Sequence, residues 1–202
     1  MPADEQQPNR AEFEAQIRRA AGEASWQSAA TIAIGAYGDE ILGYLVAMTR
    51  NETDAADAFS LFAEQMWKEL PQFRWESTFR TWAYTIARTS ISRLRRDPHR
   101  RRAVALDDAG FDGLVAEVRS RTSSFLRTEK RDKIAKLRDE LEPDDQTLLI
   151  LRINRGLAWR EIAVVMADGD AVDTAALDRR AAALRKRFER LKTDLRVKAA
   201  KT

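Results

Sequence analysis

The chain of 202 residues has no cysteine and one histidine, His99. Disulfide frameworks, thiolate zinc sites and Ser-His or Cys-His catalysis are therefore excluded. Glycine and proline are also scarce, at 8 and 5 residues, against 33 alanines and 27 arginines. That balance favours uninterrupted helix over strands and turns, so the predicted class is all-α. No apolar run approaches the ~20 residues of a bilayer span, which argues against membrane insertion. Residues 1–19 mix acids and bases without an apolar segment or a cleavage site, so no secretory signal is read there and a cytoplasmic location is expected. Acids are nowhere concentrated as a carboxylate metal site would need. The expectation is a protein with no cofactor, no metal and no catalytic residues, hence no enzyme.

Charge is present but segregated. The formal net charge is +3. Residues 74–102 hold nine arginines against Glu76 and Asp97, and residues 179–198 hold nine bases against Glu189 and Asp194, so each segment carries +7. The remainder must total −11, the difference between +3 and +14. Two basic patches on an otherwise acidic chain are the electrostatic footprint of a nucleic-acid binder that touches its partner twice. A solvated helix face is the plainer explanation of either run alone.

Along the chain, residues 1–30 are weakly amphipathic through Phe13, Ile17 and Ala20, and predict a short helix. Ile34, Tyr37, Ile41, Leu45 and Met48 recur at helical spacing up to a break at Asn51-Glu52-Thr53. A second helix starts near Asp54, the predicted N-cap, and carries Phe59, Phe62, Met66 and Leu70 up to Pro71. Its exposed side is acidic through Glu52, Asp54, Asp57, Glu64 and Glu69. In the next helix Phe79, Trp82, Ile86, Ser90 and Leu94 share a face, with Arg80, Arg88, Arg95 and Arg96 elsewhere. Residues 98–129 read as a linker with room for a short helix. Ile134, Leu137 and Leu141 resume the helical pattern, Pro143-Asp144-Asp145 opens a helix that Gly156 closes, and Trp159 to Met166 forms a short helix. A turn at Asp168-Gly169-Asp170 precedes a long basic helix from Ala176 to about Val197. Helix, short helix, turn and basic helix is the order of a helix-turn-helix reader.

Two constellations carry chemistry. Phe73, Arg74, Trp75, Phe79, Arg80, Trp82, Tyr84 and Arg88 mix aromatic faces, which stack on unpaired bases at ~1–3 kcal/mol each, with guanidiniums that track a phosphate backbone. A buried helix stripe explains Phe79 and Ile86 more simply, whereas Trp75, in a loop, is less well explained as core. In the basic helix, Arg185, Arg187 and Arg190 have the bidentate forks that read guanine edges, with Lys186 and Arg196 suited to phosphate. The acidic helix would repel DNA and should face another protein, or simply water.

These residues resemble a known family. Asn51-Glu52-Thr53-Asp54-Ala55-Ala56-Asp57, Gln65-Met66-Trp67, Phe73, Thr78 through Arg88 and Arg93-Leu94-Arg95-Arg96 look like region two of an extracytoplasmic-function (group IV) RNA polymerase sigma factor. Leu141 through Gln146, Leu149 through Arg152 and Gly156 through Ala163 resemble the start of region four. The resemblance implies two small helical domains, residues 30–97 and 130–198, joined by a flexible linker over 98–129, the C-terminal one a helix-turn-helix. It implies a factor that binds core RNA polymerase and promoter DNA, promotes melting, acts as a monomer and is held by an anti-sigma regulator. By position, Asp54, Asp57, Phe59 and Trp67 would dock on polymerase. Arg74, Trp75, Glu76, Ser77, Arg80, Trp82, Arg88, Arg95 and Arg96 would meet the minus-ten element. Trp159, Arg160, Arg185, Lys186, Arg187 and Arg190 would meet the minus-thirty-five element. The chain departs from the family pattern at Ser60-Leu61, at Ala158 in place of a capping Ser or Thr, and over Ala167–Ala183, where extra residues leave open whether the reading helix starts near Leu177 or Leu184. The alternatives are a stand-alone helix-turn-helix regulator, which binds duplex DNA without polymerase, and a helical adaptor, whose basic faces bind acidic proteins and which shows neither promoter binding nor transcription.

Overall fold

Helix α2 (Trp26–Thr49) is the element on which the others are built. In the computed structural model, which describes residues 7–23, 25–96, 108–131, 138, 140–167 and 173–199, α2 is buried on every side from Ile41 to Met48. A helix that is apolar all round must be covered all round. Its cover is α1 (Gln7–Gly22), α3 (Glu52–Glu69), α4 (Phe79–Arg96), α5 (Ala109–Ser120) and α6 (Thr122–Arg131), each packed directly on it. Among the described residues there is no strand, and no helix is long and apolar enough to cross a membrane.

The connection from α2 to α3 is made by two residues. Arg50 takes the left-handed conformation, φ 53°, and its N–H closes on the Val46 carbonyl. Asn51 then accepts the Asp54 N–H at 2.9 Å. The N-cap is therefore Asn51, not Asp54 as expected. Asp54 sits inside the first turn, where its carboxylate faces the positive end of the helix dipole. Pro71 ends α3 as predicted, through a single 3₁₀ turn, Leu70–Gln72.

The expected linker over 98–129 needs correction in its described part. Asp108 caps α5 by accepting the N–H groups of Gly110 and Phe111, both at 3.0 Å. Phe111, Val115, Val118 and Leu126 are buried, and Phe111 lies 4.5 Å from Trp67, centroid to centroid. Residues 108–131 are thus a helical pair packed on α2 and α3. The two glycines that suggested a break lie within α5, tolerated at roughly 1 kcal/mol each because burial of its apolar side outweighs their cost.

Helix α7 (Pro143–Leu149) runs into a five-residue π turn, Ile150–Asn154, and is followed by α8 (Trp159–Val165) and α9 (Thr174–Ala199). The last helix starts three residues before Leu177, an N-terminal extension relative to either predicted register. Asp173 caps it, accepting the Ala176 N–H at 2.7 Å. The predicted positions Pro98, Arg100, Arg101, Arg102, Ile134 and Leu137, and the turn Asp168 to Asp170, lie outside the described residues. The C-terminal helices do not stand apart from the first six: α8 packs along α4, and α7 touches α2.

Gly156 joins α7 to α8 at φ +67°, with nothing within 4 Å of where a Cβ would be. Its requirement is conformational, not steric. Gly156→Ala should cost about 1–2 kcal/mol of unfolding free energy, the penalty of an L-residue in the left-handed region. Equilibrium denaturation should show a lower midpoint at unchanged slope.

Candidate nucleic-acid interface

The loop between α3 and α4 gathers the aromatic residues that the sequence singled out. Phe73 lies at its centre, stacked on Trp82 at 4.6 Å and 21°, beside Trp75 at 4.8 Å and edge-on to Phe79 at 6.4 Å. Phe79 is fully buried, as the helix-stripe explanation requires, while Phe73, Trp75 and Trp82 are only half-buried. Trp75 has φ 59°. A bulky side chain in that region costs about 1–2 kcal/mol, and such strain persists only where the surroundings over-determine it. Arg74 and Glu76 project into solvent 3.5 Å apart, and the Ser77 hydroxyl donates to the Thr78 carbonyl.

The start of α4 is held from far along the chain. Its first N–H groups have no partner within the helix. The Glu14 carboxylate accepts those of Phe79 and Arg80 at 2.8 and 2.9 Å. The Thr78 hydroxyl accepts that of Thr81 at 3.1 Å, and the Thr78 carbonyl that of Trp82. Every opening donor is thereby satisfied.

Arg80 is not on a free face: it is 8% exposed. Its Nε donates to Glu40 Oε1 at 2.8 Å, and Nη2 donates to Glu40 and, at 2.7 Å, to the Arg155 carbonyl. The Tyr84 hydroxyl also donates to Glu40, at 2.8 Å. Burial by itself would raise the Glu40 pKa, but the Arg80 hydrogen bond and charge, then the Tyr84 hydrogen bond, hold it below the ordinary glutamate range. Burial pushes the Tyr84 phenol well up. Arg88 donates to Asp144 at 2.8 Å, so it too reaches the C-terminal helices. Arg95 and Arg96 stay exposed at the end of α4.

On α3, the residues expected to dock on polymerase divide. Asp54 and Asp57 lie at the surface, half-buried. Phe59 is fully buried and Trp67 is 8% exposed, sandwiched between Trp26 at 4.6 Å and Phe111. As expected docking residues these two need correction: they shape α3 from inside and present no face to a partner.

In the C-terminal part, Arg185, Lys186 and Arg190 are exposed on α9, opposite the buried Leu184, Phe188 and Leu191. Arg187 instead turns inward to an ion pair with Asp145 of α7. Trp159 is half-buried between Phe188, 5.3 Å away edge-on, and the Arg152 guanidinium, 4.7 Å over its ring. Arg160 is exposed, 3.8 Å from Asp178. Ala158 offers no side-chain cap to α8, but Glu161 supplies half of one, accepting the Ala158 N–H at 2.7 Å. The sequence reading missed Glu14 and Glu40. Glu40 leaves a signal, a carboxylate beside Asp39 next to the apolar run from Ile41, whereas Glu14 leaves none.

An all-helical chain with aromatic residues and arginines gathered on one loop, and a basic helix behind a short one, belongs to the class of DNA-reading helical proteins. Comparison with known proteins narrows it. Residues 33–102 match the family Sigma-70 region 2. The RNA polymerase sigma-H factor of Pseudomonas aeruginosa is 30% identical over 138 residues, covering 64% of this chain and 70% of that protein. The RNA polymerase sigma factor YlaC of Bacillus subtilis is 32% identical over 133 residues, covering 64% of this chain and 75% of that protein. No solved structure matches the chain. The chain belongs to the RNA polymerase sigma factor family and serves transcription initiation.

Proposed function

We propose that the chain delivers core RNA polymerase to promoter DNA in the cytoplasm through two separate readers, with no chemistry of its own. The loop Phe73 to Ser77, with Trp82, Arg95 and Arg96, takes the unpaired strand of the minus-ten element. Stackable rings and solvent-facing cations are what such a strand requires. Helix α9, through Arg185, Lys186 and Arg190, meets the minus-thirty-five duplex. The acidic surface of α3 at Asp54 and Asp57 docks on polymerase, and an anti-sigma regulator covers this surface or the basic one. The observation that carries the reading is the strained, half-exposed Trp75 in an aromatic cluster beside Arg74.

Elements named for positions about 25 base pairs apart lie ~85 Å apart at ~3.4 Å per pair. Here α8 packs on α4, and Arg80 and Arg88 are engaged across that junction. The two readers therefore separate when both elements are bound, and Arg88 becomes available to DNA only then.

The test is run-off transcription on promoter fragments with purified core polymerase, comparing the wild type with the double variant Asp54→Arg, Asp57→Arg. New start sites should require both polymerase and the wild-type acids, with the variant reduced at least about tenfold while its circular dichroism is unchanged. Tight duplex binding by the chain alone, without polymerase-dependent starts, would instead point to a stand-alone regulator.

A further inference from the structure

The loop proposed to read the unpaired strand is held partly from within, through the Phe73–Trp82 stack and the Thr78 cap, and partly from outside. It has six residues between the 3₁₀ turn and α4, and one of them, Trp75, sits at φ 59°. The contacts that secure it from outside the α3–α4 segment come from Glu14 and Arg18 of α1 and from Tyr37 of α2. Glu14 bonds the first two N–H groups of α4 through its two oxygens and accepts the Tyr37 hydroxyl at 3.1 Å. The Tyr37 ring stacks on Phe79 at 5.8 Å and takes the Phe13 edge at 6.4 Å. One turn beyond Glu14, on the same face of α1, the Arg18 guanidinium lies 5.6 Å over the Trp75 ring. Arg18 is otherwise exposed, whereas its neighbour Ile17 is fully buried and anchors the helix.

These contacts have a division of labour. A bidentate carboxylate fixes the point where the loop enters α4, and the favourable field of the helix N-terminus strengthens it. A cation over the indole fixes the Trp75 ring near the middle of the loop. Neither is needed to bury the core, since α1 is anchored by Ile17 and Ala20. We propose that α1 is a brace of the strand-reading loop, with Glu14 and Arg18 as positioning residues that hold the left-handed backbone and ring orientation of Trp75 ready for an unpaired base. The inference rests on the minus-ten reading of that loop proposed above.

The experiment uses the full chain with core polymerase on a promoter mapped by run-off transcription. Opening is read from permanganate reactivity of unpaired thymines on duplex template, and polymerase affinity is measured separately. Trp75 is followed as one of five resonances in fluorotryptophan-labelled protein, assigned with Trp75→Phe. All measurements are made well below each variant's unfolding midpoint. Arg18→Gln, at an exposed site that leaves folding intact, should shift the Trp75 resonance alone and reduce opening about two- to fivefold, with Arg18→Lys largely restoring both. Glu14→Ala should broaden or shift Trp75 and reduce opening at least as much, with polymerase affinity within about twofold of wild type. Wild-type opening in both the Arg18 and Glu14 variants, alongside loss in Trp75→Ala, would overturn the brace and leave the strand-reading loop in place. Wild-type opening in Trp75→Ala would overturn the loop's assignment itself, and the brace with it.

Discussion

Replacing Glu40 with alanine should lower the free energy of unfolding by about 3–5 kcal/mol. The reason is what the deletion strands. Arg80 would keep only the Arg155 carbonyl for its guanidinium, and the Tyr84 hydroxyl would lose its acceptor, both in a region shielded from water. An unpaired buried charge costs far more than the net worth of the pair it came from. The double variant Glu40→Leu, Arg80→Met should accordingly recover most of the loss, because it removes the charge together with its partner. Denaturant titrations of the two single variants and the double variant measure this directly. If the double variant is no more stable than Glu40→Ala alone, the pair contributes through packing, not through charge.

The same pair gives stability a sign in pH. Glu40 is held below its ordinary pKa in the folded chain, so folding favours its charged form. Its contribution is full above the unfolded value of ~4.3 and fades as the pH falls toward and through the folded value. The gap in unfolding free energy between wild type and Glu40→Gln should thus be constant near neutrality and shrink below about pH 4. A gap that widens on acidification would mean that the charged form is not the one the fold prefers.

How legible this was in the sequence depended on distance along the chain. The α3 and α4 stripes were readable because period 3.6 is a local property: Phe79, Ile86, Ser90 and Leu94 are all buried as their spacing requires. Arg80 was read as a surface base because nothing within a few residues shows that Glu40 waits beside it. Phe59 and Trp67 were assigned to docking by the family resemblance, whereas the helical spacing had already put Phe59 on the apolar side of α3 with Phe62 and Met66, where it is buried. Two glycines and an acidic run imitate a loop unless Asp108 is recognised as a cap and Phe111 as its first buried residue. Trp75 was singled out correctly as a loop aromatic, but no composition signals a positive φ at tryptophan. The departure over Ala167–Ala183 is clearer in the structure, where α9 already begins at Thr174.

Locking the two halves together should abolish promoter opening. On the two-reader proposal, the junction seen here is a resting arrangement that promoter binding takes apart. Its seams are the Arg80 bond to the Arg155 carbonyl, the Thr81 hydroxyl donating to Glu161 at 3.1 Å, the Arg88–Asp144 pair and the Thr147 hydroxyl on the Met48 sulfur at 3.7 Å. Gly43 lies beside the seam, with Arg155 Nη2 2.7 Å from where its Cβ would be. The Arg88–Asp144 pair is partly exposed, and the others are single polar contacts that can be exchanged when each side finds a better partner. Because the chain has no cysteine, Arg88→Cys with Asp144→Cys introduces its only two thiols, and a cleavable bis-thiol crosslinker joins α4 to α7 at that one place. The locked chain should lose at least about a hundredfold in open-complex formation, the effect of withholding ~2.7 kcal/mol or more of binding energy, since readers in contact cannot reach elements ~85 Å apart. Cleaving the linker restores activity to the level of the uncrosslinked double variant, which separates the cost of the lock from that of losing Arg88. Full activity in the locked chain would mean that α9 and the loop act on DNA from this same arrangement, and the two-reader proposal would fall.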